Sequence, residues 1–293
     1  MDIQWFPGHM TKARRAMAED IRLVDAVCEL IDARLPSSSR NPDLPDLLGG
    51  KPRILVLNRI DQADPDATAK WSAYYRASGE RVIETDCRSG KGVGKLPPVA
   101  RSLLADKLAS YEAKGQSGRG LRVMVVGIPN VGKSAFINAV AKRKAASVAD
   151  RPGVTRGRQW IRIDGTLELM DTPGVLWPKF GSRTVGENLA FTGAVRDETM
   201  DIEELGASLM LRLRDMSPKP LAERCRMELD MSDDGYAMLD KAAAGRGFLL
   251  PGGRRDTGRT AAILLDEFRA GKLGRVTLDA PPESIGHDGS RQD

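Results

Sequence analysis

The sequence predicts an α/β protein: a mostly parallel sheet with helices on both faces, followed by a small all-helical domain. Three observations carry this. Short apolar runs are separated by segments long enough to hold helices, the pattern of parallel βαβ units. One such run leads directly into Gly127-Ile128-Pro129-Asn130-Val131-Gly132-Lys133-Ser134, a glycine-bearing turn that opens a helix. From about residue 203 the strand pattern stops and helix follows helix.

Between residues 11 and 24 the apolar side chains Ala13, Met17, Ile21 and Val24 recur at helical spacing, with Thr11 placed to cap the first turn. Strands are expected at residues 26–31, 54–57 and 82–83. Residues 114–120, rich in Gly and Ser and charged, read as a connector. A second strand set follows at 122–126, 160–163 and 167–170, making roughly five or six strands of one sheet. Near the end Ala261, Leu264, Leu265 and Phe268 form an apolar helical stripe. The expected organisation is a nucleotide domain at 1–180, a linker at 181–202, a helical domain at 203–278 and a disordered tail at 279–293.

Composition narrows the function classes. The 293 residues are 41% hydrophobic and 29% charged, which argues against disorder along the whole chain. A net charge of +5 and a pI of about 9.1 favour a polyanionic partner, nucleic acid first. Cys28, Cys87 and Cys225 are odd in number and far apart, fitting no paired metal-ligand spacing and a reduced cytosol best. No apolar run approaches the roughly 20 residues that cross a bilayer, and the start lacks the apolar core of a secretory signal, so a soluble, cytoplasmic protein is expected. Residues 11–22 are basic enough to resemble a transit peptide, but Glu19 and Asp20 argue against it.

The chemistry lies in three blocks. The first is the G-x-x-x-x-G-K-S loop itself, whose glycines let successive N–H groups face phosphates while the helix N-terminus adds positive potential. Asn130, Val131, Gly132, Lys133, Ser134 and Ala135 are the expected contacts, Lys133 on the phosphate oxygens and Ser134 on Mg²⁺. The second is Asp171-Thr172-Pro173-Gly174, which puts a carboxylate at a strand end to hold Mg²⁺ through water and a bare N–H at Gly174 toward a γ-phosphate. Thr155, between these two, is the candidate hydroxyl to complete the Mg²⁺ shell.

The third block, Asn58-Arg59-Ile60-Asp61, closes the strand at 54–57 and resembles the N-K-x-D motif that reads guanine. A carboxylate at Asp61 accepts from the N1–H and the exocyclic amine of guanine, and would be repelled by the adenine N1 lone pair, so GTP is preferred over ATP. Arg59 keeps the aliphatic stem of the usual lysine. Asp86 and Cys87, after the next strand, are the candidate second base-reading loop. Both base-reading elements precede the phosphate loop, the reverse of the order in small signalling GTPases, so a circularly permuted P-loop GTPase domain is expected.

That order, together with Trp5-Phe6-Pro7-Gly8-His9-Met10, the block Asp32-Ala33-Arg34-Leu35-Pro36-Ser37-Ser38-Ser39-Arg40-Asn41-Pro42 and the segment Asp266-Glu267-Phe268-Arg269-Ala270-Gly271-Lys272-Leu273-Gly274-Arg275, closely resembles the YlqF/RbgA family of ribosome-biogenesis GTPases. The resemblance spans nearly the whole chain. It implies slow GTP hydrolysis stimulated by a ribosomal particle, a helical RNA-contacting domain, and a part in late maturation of the large ribosomal subunit. It implies His9 as the catalytic residue, in keeping with Val175 standing where signalling GTPases carry a water-orienting glutamine. The competing reading has His9 packing or touching RNA. Asn130 resembles the asparagine that helps some GTPases hold K⁺, and is equally well read as a turn residue.

Arg254, Arg255, Arg259, Arg269, Lys272 and Arg275 form either a phosphate-facing surface or a solvated helix face. The expected partners are GTP and GDP and a large-subunit precursor, with no membrane and a monomer in solution. Two rival functions are a nucleotide-gated RNA-binding module with incidental hydrolysis, and an ATP-using kinase that Asn58 and Asp61 count against.

Overall fold

A computed structural model describes residues 7–116, 119–144, 159–177 and 180–281, with the side chains of 7–13 and 143–144 outside the description. Six strands form one sheet: β1 (Ala26–Asp32), β2 (Arg53–Asn58), β3 (Arg81–Thr85), β4 (Leu121–Gly127), β5 (Gln159–Asp164) and β6 (Leu167–Asp171). Their order is β3-β2-β1-β4-β6-β5, parallel throughout except for β5, which runs antiparallel to β6 at the edge. Every residue of β1 is buried, which is why its sequence shows no alternation: a central parallel strand is covered on both faces. After β3 the chain returns to the other side of β1, so a topological switch point lies between the carboxyl ends of β1 and β4, where open α/β sheets bind ligands.

Three packed layers fix these strands. Helix α1 (Pro7–Arg22) lays Met17 and Ile21 on one face of the sheet against Val27, Met124, Val126 and Met170. Among the described residues it already runs from Pro7, so the helix extends past the cap expected at Thr11. The five-residue α2 (Leu44–Leu48) joins the same cluster. Helix α3 (Pro65–Ala77) is capped by Asp64 and stacks Trp71 and Tyr75 over Ile31, Leu55 and Leu57. On the opposite face α4 (Leu96–Leu103), α5 (Ala105–Ala113) and α6 (Lys133–Lys144) contribute Leu96, Ala100, Tyr111, Phe136 and Ile137 to a core shared with Leu30, Val56 and Val125.

The chain then turns all-helical through α7 (Arg183–Phe191), α8 (Ile202–Met216), α9 (Pro218–Cys225), α10 (Gly235–Arg246) and α11 (Thr257–Arg269). Glycines set how closely these helices approach α8. A Cβ on Gly206 would lie 2.5 Å from that of Ala261, and one on Gly235 would lie 2.2 Å from the Ala207 carbonyl oxygen. The core is continuous with that of the sheet, since Phe191, Leu205, Leu264 and Phe268 belong to the same apolar cluster as Leu30 and Val125.

Two expected boundaries differ from what the structure shows. Residues 181–202, read as a linker, hold α7, whose residues Gly186 to Phe191 are all buried. Asp279, read as the start of a disordered tail, is a fixed point: its carboxylate accepts from the Ser37 and Ser38 amides at 2.8 and 2.7 Å, from the Ser38 hydroxyl at 2.6 Å and from Asn188 at 3.0 Å. Pro, Gly and charge make a segment look unstructured, but here the polar atoms find partners on the sheet domain, and residues 271–279 run back across it as a strap.

Candidate nucleotide site

The phosphate loop spans the end of β4 to the start of α6, directly at the switch point. Gly127 is required because a Cβ would meet the Leu30 carbonyl oxygen at 2.5 Å, and Gly132 because its φ is +99°. Lys133 is buried, its ammonium donating to the Gly127 and Ile128 carbonyls at 3.2 and 2.9 Å. Burial lowers its pKa to about 8 despite the nearby Asp171 carboxylate. Such a lysine lacks anionic solvation that a polyphosphate would supply.

Asp171 ends β6 beside β4, and its Oδ2 accepts from the Ser134 hydroxyl at 3.2 Å. A hydroxyl and a carboxylate are the hard oxygen donors that suit Mg²⁺. Gly174 closes over the loop: a Cβ there would sit 2.7 Å from Pro129 Cα and 2.9 Å from Lys133 Nζ. The next amide, of Val175, donates to Gly127 O at 3.3 Å, while the Val175 side chain packs into the apolar cluster under α1. That apolar setting suits valine at a position where a polar glutamine is absent.

Asn58 is buried at the end of β2 and acts as a tie. Its Nδ2 donates to Val131 O at 2.9 Å, and its Oδ1 accepts from Thr85 Oγ1 at 3.1 Å and Cys87 Sγ at 3.2 Å. Arg59 takes a left-handed φ of +63° and donates from NH2 to Asn130 O at 2.7 Å, with Asp32 3.7 Å from its Nε. Burial lowers the Arg59 pKa against the opposing pull of Asp32. Asn130, at φ +59°, donates through its side chain to Gly193 O at 2.6 Å.

These residues surround a cleft of about 1000 Å³ lined by Arg59, Asn130, Gly132, Lys133, Ser134, Ala135 and Gly174. Val131 is buried behind it, and Ile60, Asp61, Asp86 and Cys87 lie outside its lining. Asp86 is occupied within its own turn, its carboxylate accepting from the Arg88 amide at 2.8 Å and the Ser89 hydroxyl at 2.5 Å. Those bonds outweigh burial and hold its carboxyl below the usual carboxylate range. Cys87 is tied to Asn58, and burial raises its thiol to about 11, so it is a packed thiol rather than a reactive one. Thr155 and the side chain of His9 lie outside the described residues; the His9 backbone lies in α1.

The opposite wall of the cleft was not foreseen. It is made by residues 192–198 and by Arg269, from the helical part. Arg269 grips Asp197 with two bonds of 2.7 Å and donates to the Phe191 and Ala190 carbonyls at the end of α7. Its own carbonyl accepts from Arg59 at 3.4 Å. Arg269, grouped by sequence with a basic surface, turns into the cleft, whereas Arg275 stays exposed while its guanidinium donates to the Ile60 and Ala63 carbonyls; the helical stripe located the apolar face of α11 but not the residues that flank it. The positive φ of Gly193, +72°, is the sort of local signal that marks such a turn, yet a single glycine does not announce it.

The Asp32 to Pro42 block is largely architectural. Asp32 holds the buried Arg34 through 2.9 and 2.7 Å bonds, and Arg34 reaches the Phe268 carbonyl at 3.1 Å, joining β1 to α11.

Residues 122–228 match a family model described as 50S ribosome-binding GTPase. Ribosome biogenesis GTPase A of Priestia megaterium is 43% identical over 97% of this chain and 99% of its own length. Mitochondrial ribosome-associated GTPase 1 of Mus musculus is 33% identical, covering 94% of this chain and 90% of that protein. The crystal structure of GNP-bound YlqF from T. maritima aligns over 93% of this chain and 99% of its own at a TM-score of 0.63 and 28% identity. With a phosphate loop at the switch point, base-motif residues on strands that precede it and relatives similar along their full length, the chain belongs to the Ribosome biogenesis GTPase A (YlqF) family of circularly permuted GTPases.

Proposed function

We propose that this GTPase acts in late maturation of the large ribosomal subunit, with the nucleotide state controlling its docking on the precursor and its release. The observation that carries the control is the shared cleft: Asn130 of the phosphate loop donates to Gly193, and Arg59 of the base motif donates to Arg269, so both nucleotide elements bond directly to the helical part. The ribosomal partner follows from the relatives, one named for ribosome biogenesis and one for association with the mitochondrial ribosome.

In this reading Asn58, Arg59, Ile60 and Asp61 form the guanine side, with Asp86 and Cys87 supporting it, and Asn130 to Ala135 with Gly174 the phosphate side. Ser134, Thr155 and, through water, Asp171 would hold Mg²⁺, which when bound offsets phosphate charge. His9 is the candidate to orient the attacking water, a role that Val175, packed among apolar side chains, does not fill. Asn130 is the candidate K⁺ contact, and the protein works as a monomer in the cytoplasm. GTP turnover measured with and without large-subunit particles, in K⁺ and in Na⁺, tests the whole assignment. Stimulation by particles is expected, larger in K⁺, and its loss on His9→Ala. Unstimulated turnover alongside nucleotide-dependent particle binding would favour instead an RNA-binding module in which hydrolysis is incidental. An equal rate in Na⁺ would remove K⁺.

A further inference from the structure

The loop carrying Asp61 is held from two sides. On the phosphate side Asn58 donates to Val131 O and Arg59 to Asn130 O. On the other side the grip comes from the strap. Arg275 NH2 donates to Ile60 O at 2.8 Å and its Nε to Ala63 O at 2.9 Å, while the Val276 amide donates to Gln62 O at 3.0 Å. The carbonyls immediately before and after Asp61 are thus both fixed by residues more than two hundred positions away. Gly271, with φ +73°, lets the strap press against Gln62, where an added Cβ would lie 2.7 Å from Cγ.

A carboxylate discriminates between bases only if its backbone is held to within about 0.5 Å of the productive geometry. None of residues 271–279 lines the cleft, so the strap's effect on nucleotide must pass through the loop. We propose that Arg275 is a positioning residue for base recognition, and that the strap sets both the affinity for guanine nucleotides and their selection. This rests on Asp61 being the base acceptor, which needs its own control.

The test uses the full chain and equilibrium binding of GDP, of IDP, which lacks the exocyclic amine, and of XDP. Asp61→Asn should exchange GDP for XDP preference. Arg275→Ala should weaken GDP about tenfold, since it removes two bonds from a charged donor, and should narrow the GDP to IDP ratio. Turnover at saturating GTP should stay within about twofold, because the phosphate side is untouched. Arg275→Lys keeps the charge and should recover part of the loss. It carries the test if the alanine variant does not fold, with GDP then weakened about threefold. Arg76→Ala, which removes an exposed arginine paired with Glu84 on the neighbouring strand, controls for net charge and should bind GDP like the parent. If Asp61→Asn switches the base but the Arg275 variants leave GDP affinity and the GDP to IDP ratio within about twofold of the parent, the strap proposal is overturned. If Asp61→Asn switches nothing, the base-reading assignment itself fails and the proposal with it.

Discussion

Lys133 sets a pH dependence whose two signs oppose each other. Its folded pKa of about 8 lies below the ordinary lysine value, so between the two the unfolded chain binds more protons and the nucleotide-free fold gains stability as pH rises. Polyphosphate, however, needs the ammonium charged. Apparent GTP affinity should therefore fall about tenfold from pH 7 to pH 9, as the charged fraction falls, while the melting temperature of the nucleotide-free protein does not follow it down. Isothermal titration across that range checks the first and a thermal scan the second. At this scale the sequence spoke clearly for residues whose chemistry is tied to a fixed spacing. Lys133, Ser134, Asp171 and Gly174 meet in space as their motifs imply. It spoke less clearly for Asp86, because a carboxylate at a strand end serves a turn as readily as a base, and here two amides and a hydroxyl engage it.

Among the elements, all six expected runs appear as β1 to β6; β1, β2 and β4 were legible because the parallel interior needs continuous apolar runs, whereas the edge strands β3 and β5 carry exposed polar residues. Less legible was α7, whose buried face includes Gly186, Glu187 and Asn188 and so lacks an apolar stripe. Glu187 is held there by Arg183 at 2.7 Å and by Ser208 at 3.3 Å, and Asn188 by Ser38 and Asp279, contacts a periodicity argument does not see. The helical part also depends on close approaches that only its glycines permit. Gly235→Ala would force a methyl group against the Ala207 backbone rather than a movable side chain, and should destabilise by about 2 kcal/mol, read as a lower melting temperature. Gly247→Ala, where φ is +70° but the surrounding space is open, separates backbone strain from collision; it should cost about 1 kcal/mol, less than the buried clash.

For the molecule as a whole, Arg269 is the residue through which the nucleotide cleft and the helical part answer to each other. It caps α7, clamps Asp197 and receives Arg59 on its carbonyl. In the parent protein, nucleotide binding should slow amide exchange in residues 190–198 as well as in the phosphate loop. In Arg269→Ala the phosphate loop should still be protected while protection of 190–198 drops several-fold, and exchange monitored by mass spectrometry resolves the two regions. Domain reading from sequence divided the molecule at a linker, whereas the structure joins its parts by an apolar core and by buried charges such as Arg34. Such joins are long-range in sequence and leave no local trace.

The strap has a consequence in time. Its contacts to residues 60–64 and to Ser37 and Ser38 span more than two hundred positions, so the loops after β1 and β2 wait for residues made long after them. Closing contacts of such high sequence separation costs loop entropy before it is rewarded, which slows folding. The phosphate loop can form as soon as β4 and α6 dock, but the base loop gains its outer support only when residues 271–279 have left the synthesising ribosome. Chains stopped before residue 271 would keep the loop between β4 and α6 but lack the outer support of the Ile60 and Ala63 carbonyls.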